Sequence, residues 1–371
     1  MNDLVALHAP LSDALTAAVR RVVDSGWYIL GPEVAAFEEA FAAYCGAGYR
    51  AAGPGGLHAV GVGNGTDAIE LALAGVGAGR GSRIALAANA GGYGTTAVLA
   101  LGAEPVHVDV DEDTATLDPA LLERAGRETG FDAVLVTHLY GRLADMPALR
   151  AVADAHGAKV VEDCAQAHGA AHGGRRAGAW GDAAAFSFYP TKNLGALGDA
   201  GAVVTADPDV AERVRRLRQY GWDRKYHQVD GPARNSRMDE LQAAVLGVKL
   251  PHLDAWNARR VAVAARYAAT IRHPKLTLPD VTAPSHAGHL YVLRTTDRDA
   301  LSAHLRAHGV PHDVHYPVPD HRQPVHGDRF ACLDLPVTER WCAEALSLPC
   351  HPGLDPAEVD RIAAVLNVFG A

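Results

Sequence analysis

From His58 onward, short apolar runs alternate with helical segments, and this alternation limits the fold more than any other feature of the chain. HAVGVG (58–63) is followed by TDAIELALAGVG (66–77), and RIALAA (83–88) by YGTTAVLALG (93–102). EPVHVDV (104–110) then precedes LDPALLERAG (117–126), FDAVLVTHL (131–139) precedes DMPALRAVADAHG (145–157), and AKVVEDC (158–164) ends the series. Strand then helix at this spacing predicts βαβ crossovers and a mostly parallel sheet covered on both faces. The strands are almost continuously apolar, as strands buried on both sides must be. After AKVVEDC the rhythm changes, and AAAFSFY (183–189) and GAVVTAD (201–207) read as a hairpin-like edge. A long helical section (about 239–267) leads to LYVLRTT (290–296) and ALSAHLRAHGV (300–310), which predict a small α+β unit. We place the boundary inside the long helical section. That divides the chain into a large α/β domain over 1–250, carrying an N-terminal arm, and a smaller C-terminal α+β domain over 251–371. GPGG (53–56) reads as a surface loop.

Bulk properties exclude several partners. The chain has 371 residues and a net charge of −9 with neutral histidines, so it has no basic surplus for nucleic acid or an anionic membrane. It contains no apolar run long enough to span a bilayer, and MNDLVALHAP lacks a secretory pattern. Cys45, Cys164, Cys332, Cys342 and Cys350 are scattered and odd in number, which reads as reduced thiols in a cytoplasmic protein. There are 19 histidines, but His308 and His312 are separated by Gly-Val-Pro, which breaks the helix a shared metal face would need. We expect no metal site.

Three stretches carry candidate chemistry. GVGNGTDAIE (61–70) is a glycine-rich turn between strand and helix, where Thr66 and Asp67 can cap the helix and its free N–H groups can bind an anion. A phosphate cup and a plain capped turn are equally consistent with these residues. In VVEDCAQAHG (160–169), Asp163 lies just past the carboxyl end of a buried strand, where open α/β sheets place ligands. It can hold a cationic nitrogen, with Gln166 reaching the same ligand, or it can cap the next segment. FSFYPTKN (186–193) adds Ser187 as a phosphate donor and Lys192 five residues later. Only five lysines occur in the chain, and a desolvated lysine amine, unlike a guanidinium, can form a Schiff base. A phosphate cup, a strand-end carboxylate and a lysine are the parts of a pyridoxal phosphate site.

GNGTDAIELAL, EDCAQAHGA, FSFYPTKNLGALGDAGAVVT and RNSRMDELQAAVL together resemble the DegT/DnrJ/EryC1/StrS aminotransferases, in the same order along the chain. The resemblance runs from SGWYILGPEVAAFEEAF (25–41) to HYPVP (315–319). It implies a fold-type I pyridoxal 5'-phosphate enzyme with a mostly parallel seven-stranded sheet, alternating with the pyridoxamine phosphate form during turnover. By the same resemblance Lys192 bonds covalently to the cofactor and shuttles the proton, and Asp163 pairs with its pyridinium nitrogen. Gly65, Thr66 and Ser187 hold its phosphate, and Gln166 contacts its ring hydroxyl. Tyr93 stacks on the ring. Asn235 reaches the phosphate of the neighbouring subunit, which implies a homodimer with shared active sites. ALAANAGGYGTTAV (85–98) departs from the family, with glycines where many members carry an aromatic and threonine run. Members of the family that act as dehydratases have histidine in place of Lys192, so lysine here favours transamination.

The resemblance also implies the substrates: L-glutamate as donor and a nucleotide-linked keto sugar as acceptor. GWDRKYHQ (221–228) resembles the loop of members that aminate C3 of dTDP-3-keto-6-deoxyhexoses. Tyr226 and His227 would meet the sugar or its diphosphate, and Arg224 or Lys225 the diphosphate; a surface loop with a few aromatics is the other reading of these residues. His315 and Tyr316 are further candidates near the substrate. The expected role is amino sugar synthesis for a natural product. Amination at C4, a keto-inositol acceptor, and a regulatory protein that binds the cofactor without turnover are the alternatives.

Overall fold

A computed structural model describes residues 2–49, 56–282 and 284–370. Of the GPGG loop, only Gly56 lies within these residues. The chain opens with α1 (Leu4–His8), α2 (Ser12–Ser25) and α3 (Pro32–Gly46), which lead into the first strand, β1 (His58–Val62). The βα alternation follows as α4 (Gly65–Gly75), β2 (Arg83–Ala87), α5 (Tyr93–Ala100), β3 (Glu104–Val108), α6 (Pro119–Glu128), β4 (Ala133–Thr137), α7 (Met146–Ala155) and β5 (Lys159–Asp163). A two-residue ladder, β6 (Ala171–His172) with β7 (Arg175–Arg176), precedes β8 (Ala183–Ser187), β9 (Gly201–Thr205) and α8 (Pro208–Leu217).

Strands β1, β9, β8, β5, β4, β2 and β3 form, in that order, one seven-stranded sheet. Only β9 runs against the others, so the sheet is mostly parallel as expected. The expected β8–β9 hairpin exists, but it is not an edge. β1 pairs with the outer side of β9, placing both hairpin strands inside the sheet. This explains why GAVVT is buried at every position.

Alternation along the pleat sends neighbouring residues to opposite faces. Val134, Val136 and Val160 join one apolar cluster, while Ala133, Leu135 and Val161 join the other. Each fully buried valine or leucine contributes roughly 1.5–3 kcal/mol relative to exposure. The covering helices have local start signals: α6 and α8 each open with an aspartate whose carboxylate accepts first-turn N–H groups, followed by proline.

Beyond the sheet, β10 (Trp222–Arg224) and β11 (His227–Gln228) form a small exposed hairpin, followed by α9 (Glu240–Lys249) and α10 (Leu253–Thr270). β12 (Tyr291–Arg294) pairs antiparallel with β13 (Ala345–Leu348), with α11 (Arg298–Ala307) and α12 (Pro336–Glu344) between them in sequence and α13 (Pro356–Asn367) after them. Val263, Ala264 and Tyr267 of α10 pack with Tyr291, Leu346 and Ile362 in a cluster of their own, whereas Leu250 and Leu253 pack with the large sheet. Residues 315–319, with the substrate candidates His315 and Tyr316, run as an irregular strap. Among the described residues, no helix is long and apolar enough to cross a membrane.

Candidate active site

The carboxyl ends of β4, β5 and β8 and the amino end of α4 converge on one cavity of about 670 Å³. This is where open α/β sheets gather ligands. Gly65, Thr66, Tyr93, Asp163, Gln166, Ser187, Lys192, His315 and Tyr316 all line it.

Helix α4 points its first turn into this cavity. Its cap differs from expectation: Asn64, not Thr66 or Asp67, accepts the Asp67 N–H at 2.9 Å. The Asp67 carboxylate instead pairs with Arg234. The next residue has to be glycine, because a Cβ on Gly65 would lie 2.5 Å from Cβ of Ser187. Backbone N–H groups of a first helical turn have no intrahelical partner, so this close approach of turn and serine makes an anion cradle.

Asp163 ends β5. Its carboxylate accepts from Thr137 Oγ1 at 3.2 Å and from the Ala165 N–H at 3.1 Å. Burial pushes its pKa up, against those two hydrogen bonds and the charge of Lys192. Lys192 follows the 188–191 turn that leaves β8, and burial lowers its amine to about 8 although Asp163 pulls the other way. A buried carboxylate and a desolvated amine thus share one cavity.

Gln166 is held at both ends: its Oε1 accepts from the Tyr140 N–H at 2.6 Å and its Nε2 donates to the Tyr316 hydroxyl at 2.9 Å. Tyr93 starts α5 and is 52% exposed, its ring edge-on to Tyr316 with centroids 6.1 Å apart. The glycines before it have a steric role. Gly91 has φ +78°, and a Cβ there would sit 2.9 Å from the Tyr316 ring. On the strap, His315 Nδ1 meets Ser347 Oγ at 2.8 Å, and the His315 carbonyl accepts from the Tyr140 hydroxyl at 2.6 Å.

Other expected residues lie away from the cavity in this single chain. Asn235 bridges to Gln219 and accepts from Arg237 Nε at 2.7 Å. Arg224, Lys225, Tyr226 and His227 sit on the exposed β10–β11 hairpin, where Tyr226 is 78% exposed and His227 pairs with Asp223 at 2.6 Å. None of the five lines the cavity.

Sequence reasoning missed several lining residues, among them Asn2, Thr137, Tyr189, His289 and Asp313. Thr137 was within reach, since it stands beside Asp163 at the end of the adjacent strand and obeys the same strand-end rule. Tyr189 stands within FSFYPTKN, between Ser187 and Lys192, whereas Asn2, His289 and Asp313 arrive from distant segments and carry no local signal.

His138, Glu162 and Cys164 bring three potential metal ligands together in the core. Both oxygens of Glu162 are already engaged, by His138 Nε2 and by the N–H groups of Gly178, Trp180 and Gly181. The carboxylate fastens the 178–181 loop to β5.

Residues 11–367 match the model of the DegT/DnrJ/EryC1/StrS aminotransferase family. The chain belongs to this family. It is 48% identical over 370 residues to the erythromycin biosynthesis sensory transduction protein EryC1 of Saccharopolyspora erythraea, covering 98% of each chain. It is 48% identical over 365 residues to the dTDP-3-amino-3,4,6-trideoxy-alpha-D-glucose transaminase of Streptomyces venezuelae, covering 97% of this chain and 93% of the relative. The crystal structure of S. venezuelae DesV in complex with a ketimine intermediate superposes with a TM-score of 0.90 at 46% identity, covering 98% and 96% of the two chains.

The DegT/DnrJ/EryC1/StrS enzymes are aminotransferases that depend on pyridoxal phosphate, and so is this one. The cavity suits that group on two counts. The Gly65–Ser187 approach leaves no room for a side chain where a phosphate needs backbone N–H donors. The buried Asp163, its pKa raised by desolvation, needs a cationic partner such as a pyridinium N–H.

Proposed function

We propose that this enzyme transfers the amino group of L-glutamate to the C3 keto group of a dTDP-linked 3-keto-6-deoxyhexose, making an amino sugar for a natural-product glycoside. The observation that carries the reading is the meeting of Lys192, Asp163 and the Gly65–Ser187 cradle in one cavity. The likeness over nearly the whole chain to a dTDP-3-amino sugar transaminase supports the substrate class.

When bound, pyridoxal phosphate supplies the electron sink and carries the amino group. The chain supplies the rest. Nζ of Lys192 would anchor the cofactor covalently and, as the base of the cavity, would take the proton from the α-carbon of the amino donor in one half-reaction and deliver a proton to the keto carbon of the acceptor in the other. Its lowered pKa suits both tasks, because the amine must be neutral to attack and charged to donate. Asp163, its carboxylate oriented by Thr137, would hold the ring nitrogen. Gly65, Thr66 and Ser187 take the phosphate. Gln166 orients the ring through its hydroxyl, and Tyr93 covers it.

Asn235 and the β10–β11 hairpin act across a two-fold axis in this reading: Asn235 on the partner's phosphate group, and Arg224, Lys225, Tyr226 and His227 on the partner's sugar nucleotide. Their absence from the cavity of their own chain supports an obligate homodimer. His315 and Tyr316 face the sugar. We take 1–250 and 251–371 as the two domains, supported by the separate apolar cluster around Tyr267 and Tyr291. The cytoplasm is the proposed compartment, in keeping with five free cysteines.

A turnover screen tests the substrate. dTDP-3-keto and dTDP-4-keto hexoses are offered with glutamate and the products read by mass spectrometry; a mass gain at the 3-keto substrates is expected. No product from any nucleotide sugar would sink the substrate assignment. The name of EryC1 favours a second reading, a regulatory protein that holds the cofactor without turnover. Under that reading glutamate leaves the visible band of the loaded protein unchanged, whereas we expect it to be bleached.

A further inference from the structure

Helix α5 has no cap of its own. Gly92 precedes it at φ +82° and offers no side chain. The cap comes from 228 residues away, from the residue that ends the strap: Asp320 Oδ1 accepts the Gly92 N–H at 2.7 Å, and Oδ2 accepts from Thr95 Oγ1 at 2.8 Å. The Asp320 backbone N–H also donates to the Ala88 carbonyl at 2.7 Å. Asp320 is 1% exposed, so all three bonds form away from solvent.

A neutral histidine completes the set. With its hydrogen committed to Asp320, Thr95 Oγ1 receives the Nε2–H of His107 at 3.0 Å. Burial holds His107 at about 3, and its Nδ1 has no partner among the described residues, so the ring stays in one tautomer. The carboxylate of Asp320 therefore faces only donors.

Two segments are locked together as a result. The turn 91–92 presents Gly91 against the ring of Tyr316, with the Tyr93 ring steeply inclined to it at 75°. The strap presents Tyr316 to Gln166, and Tyr140 holds its far side through the His315 carbonyl.

We propose that Asp320 is a positioning residue of the active site, which sets the Tyr93–Tyr316 aromatic wall of the cavity by capping α5 from the strap. The inference rests on the reading of this cavity as the cofactor and substrate site. The departure of 85–98 from the family pattern then has a function: the glycines make room for a ring delivered by the strap, and Asp320 fixes the fit.

The test compares Asp320→Ala and Asp320→Asn with Asp109→Asn. Asp109 caps α12 through the Val337 and Thr338 N–H groups, at 2.9 and 2.7 Å, and does not line the cavity. It therefore reports the cost of losing a buried cap alone. Three quantities are measured: Tm, the Kd of the apo-protein for pyridoxal 5'-phosphate by fluorescence quenching, and KM and kcat for L-glutamate. For Asp320→Ala we expect Kd or KM to rise about tenfold or more, since small misplacements in a preorganised site cost that much. Asp320→Asn should fall between it and the wild type, because its remaining oxygen still accepts from Gly92. Asp109→Asn should lower Tm while Kd and KM stay within about twofold. Asp320 variants within about twofold in both quantities, or an equal rise in Asp109→Asn, overturn the proposal. If Asp320→Ala does not fold, Asp320→Asn is judged by the same limits. Lys192→Ala separates the two levels: if it keeps cofactor and turnover, the reading of the cavity itself fails, and if it loses both while Asp320 is neutral, only this inference fails.

Discussion

Lys192 and Gly65 show how much a single position can decide. The amine of Lys192, at about 8, is largely protonated at pH 7 and neutral above about 8.5, and only the neutral form attacks an aldehyde. Uptake of pyridoxal phosphate by the apo-protein, followed by absorbance, should accelerate from pH 7 to pH 9 and then level off. A rate that does not change across that range would contradict the assignment. Lys192→Arg should abolish covalent uptake at every pH, because guanidinium does not deprotonate. For Gly65→Ala the steric conflict with Ser187 predicts at least about a tenfold weaker cofactor Kd, or about 1.4 kcal/mol. Fluorescence titration of the apo-protein measures it, and an unchanged Kd would remove the phosphate from this cradle.

The elements were legible where local chemistry writes them. The βα rhythm from His58 to Asp163 and the aspartate–proline starts of α6 and α8 could be read directly. Pairing order could not. Nothing within GAVVT says that β1, more than 130 residues earlier, will cover its far side, and the expected edge became an inner strand. Capping was half legible. Asn64, Thr66 and Asp67 are all cap-forming types, and only the path of the chain into α4 made Asn64 the one that accepts. Asn64→Ala should lower stability by about 0.5–2 kcal/mol and loosen the first turn that faces the cavity. Chemical denaturation with and without pyridoxal phosphate checks this: the loss should be larger with cofactor present, because the damaged turn also weakens binding.

The assembled enzyme makes a prediction that a single chain cannot. Lys192 lies in the cavity, and Asn235 lies outside it. If Asn235 serves the partner's site, two inactive variants, Lys192→Ala and Asn235→Asp, should complement when unfolded together and refolded. Random pairing gives half hybrids, each with one intact site, so about a quarter of wild-type activity is expected. Light scattering should give the mass of a dimer. Activity no higher than the sum of the separate variants would confine Asn235 to its own chain.

Residue types and spacing gave the fold class and brought Lys192, Asp163, Gly65 and Ser187 forward as candidates; the resemblance to the family gave the cofactor chemistry. These four residues lie at strand ends and helix starts, where short-range sequence dictates both conformation and exposure. Thr137 belonged to the same group and could have been named. Folding alone settled what meets across long separations: Tyr316 against Gly91, Gln166 between Tyr140 and Tyr316, and Asp320 over the start of α5. A hydrogen bond between residues more than two hundred positions apart depends on the path of every element between them. No local pattern encodes that path, so the walls of the cavity emerge only when the two parts of the chain pack together.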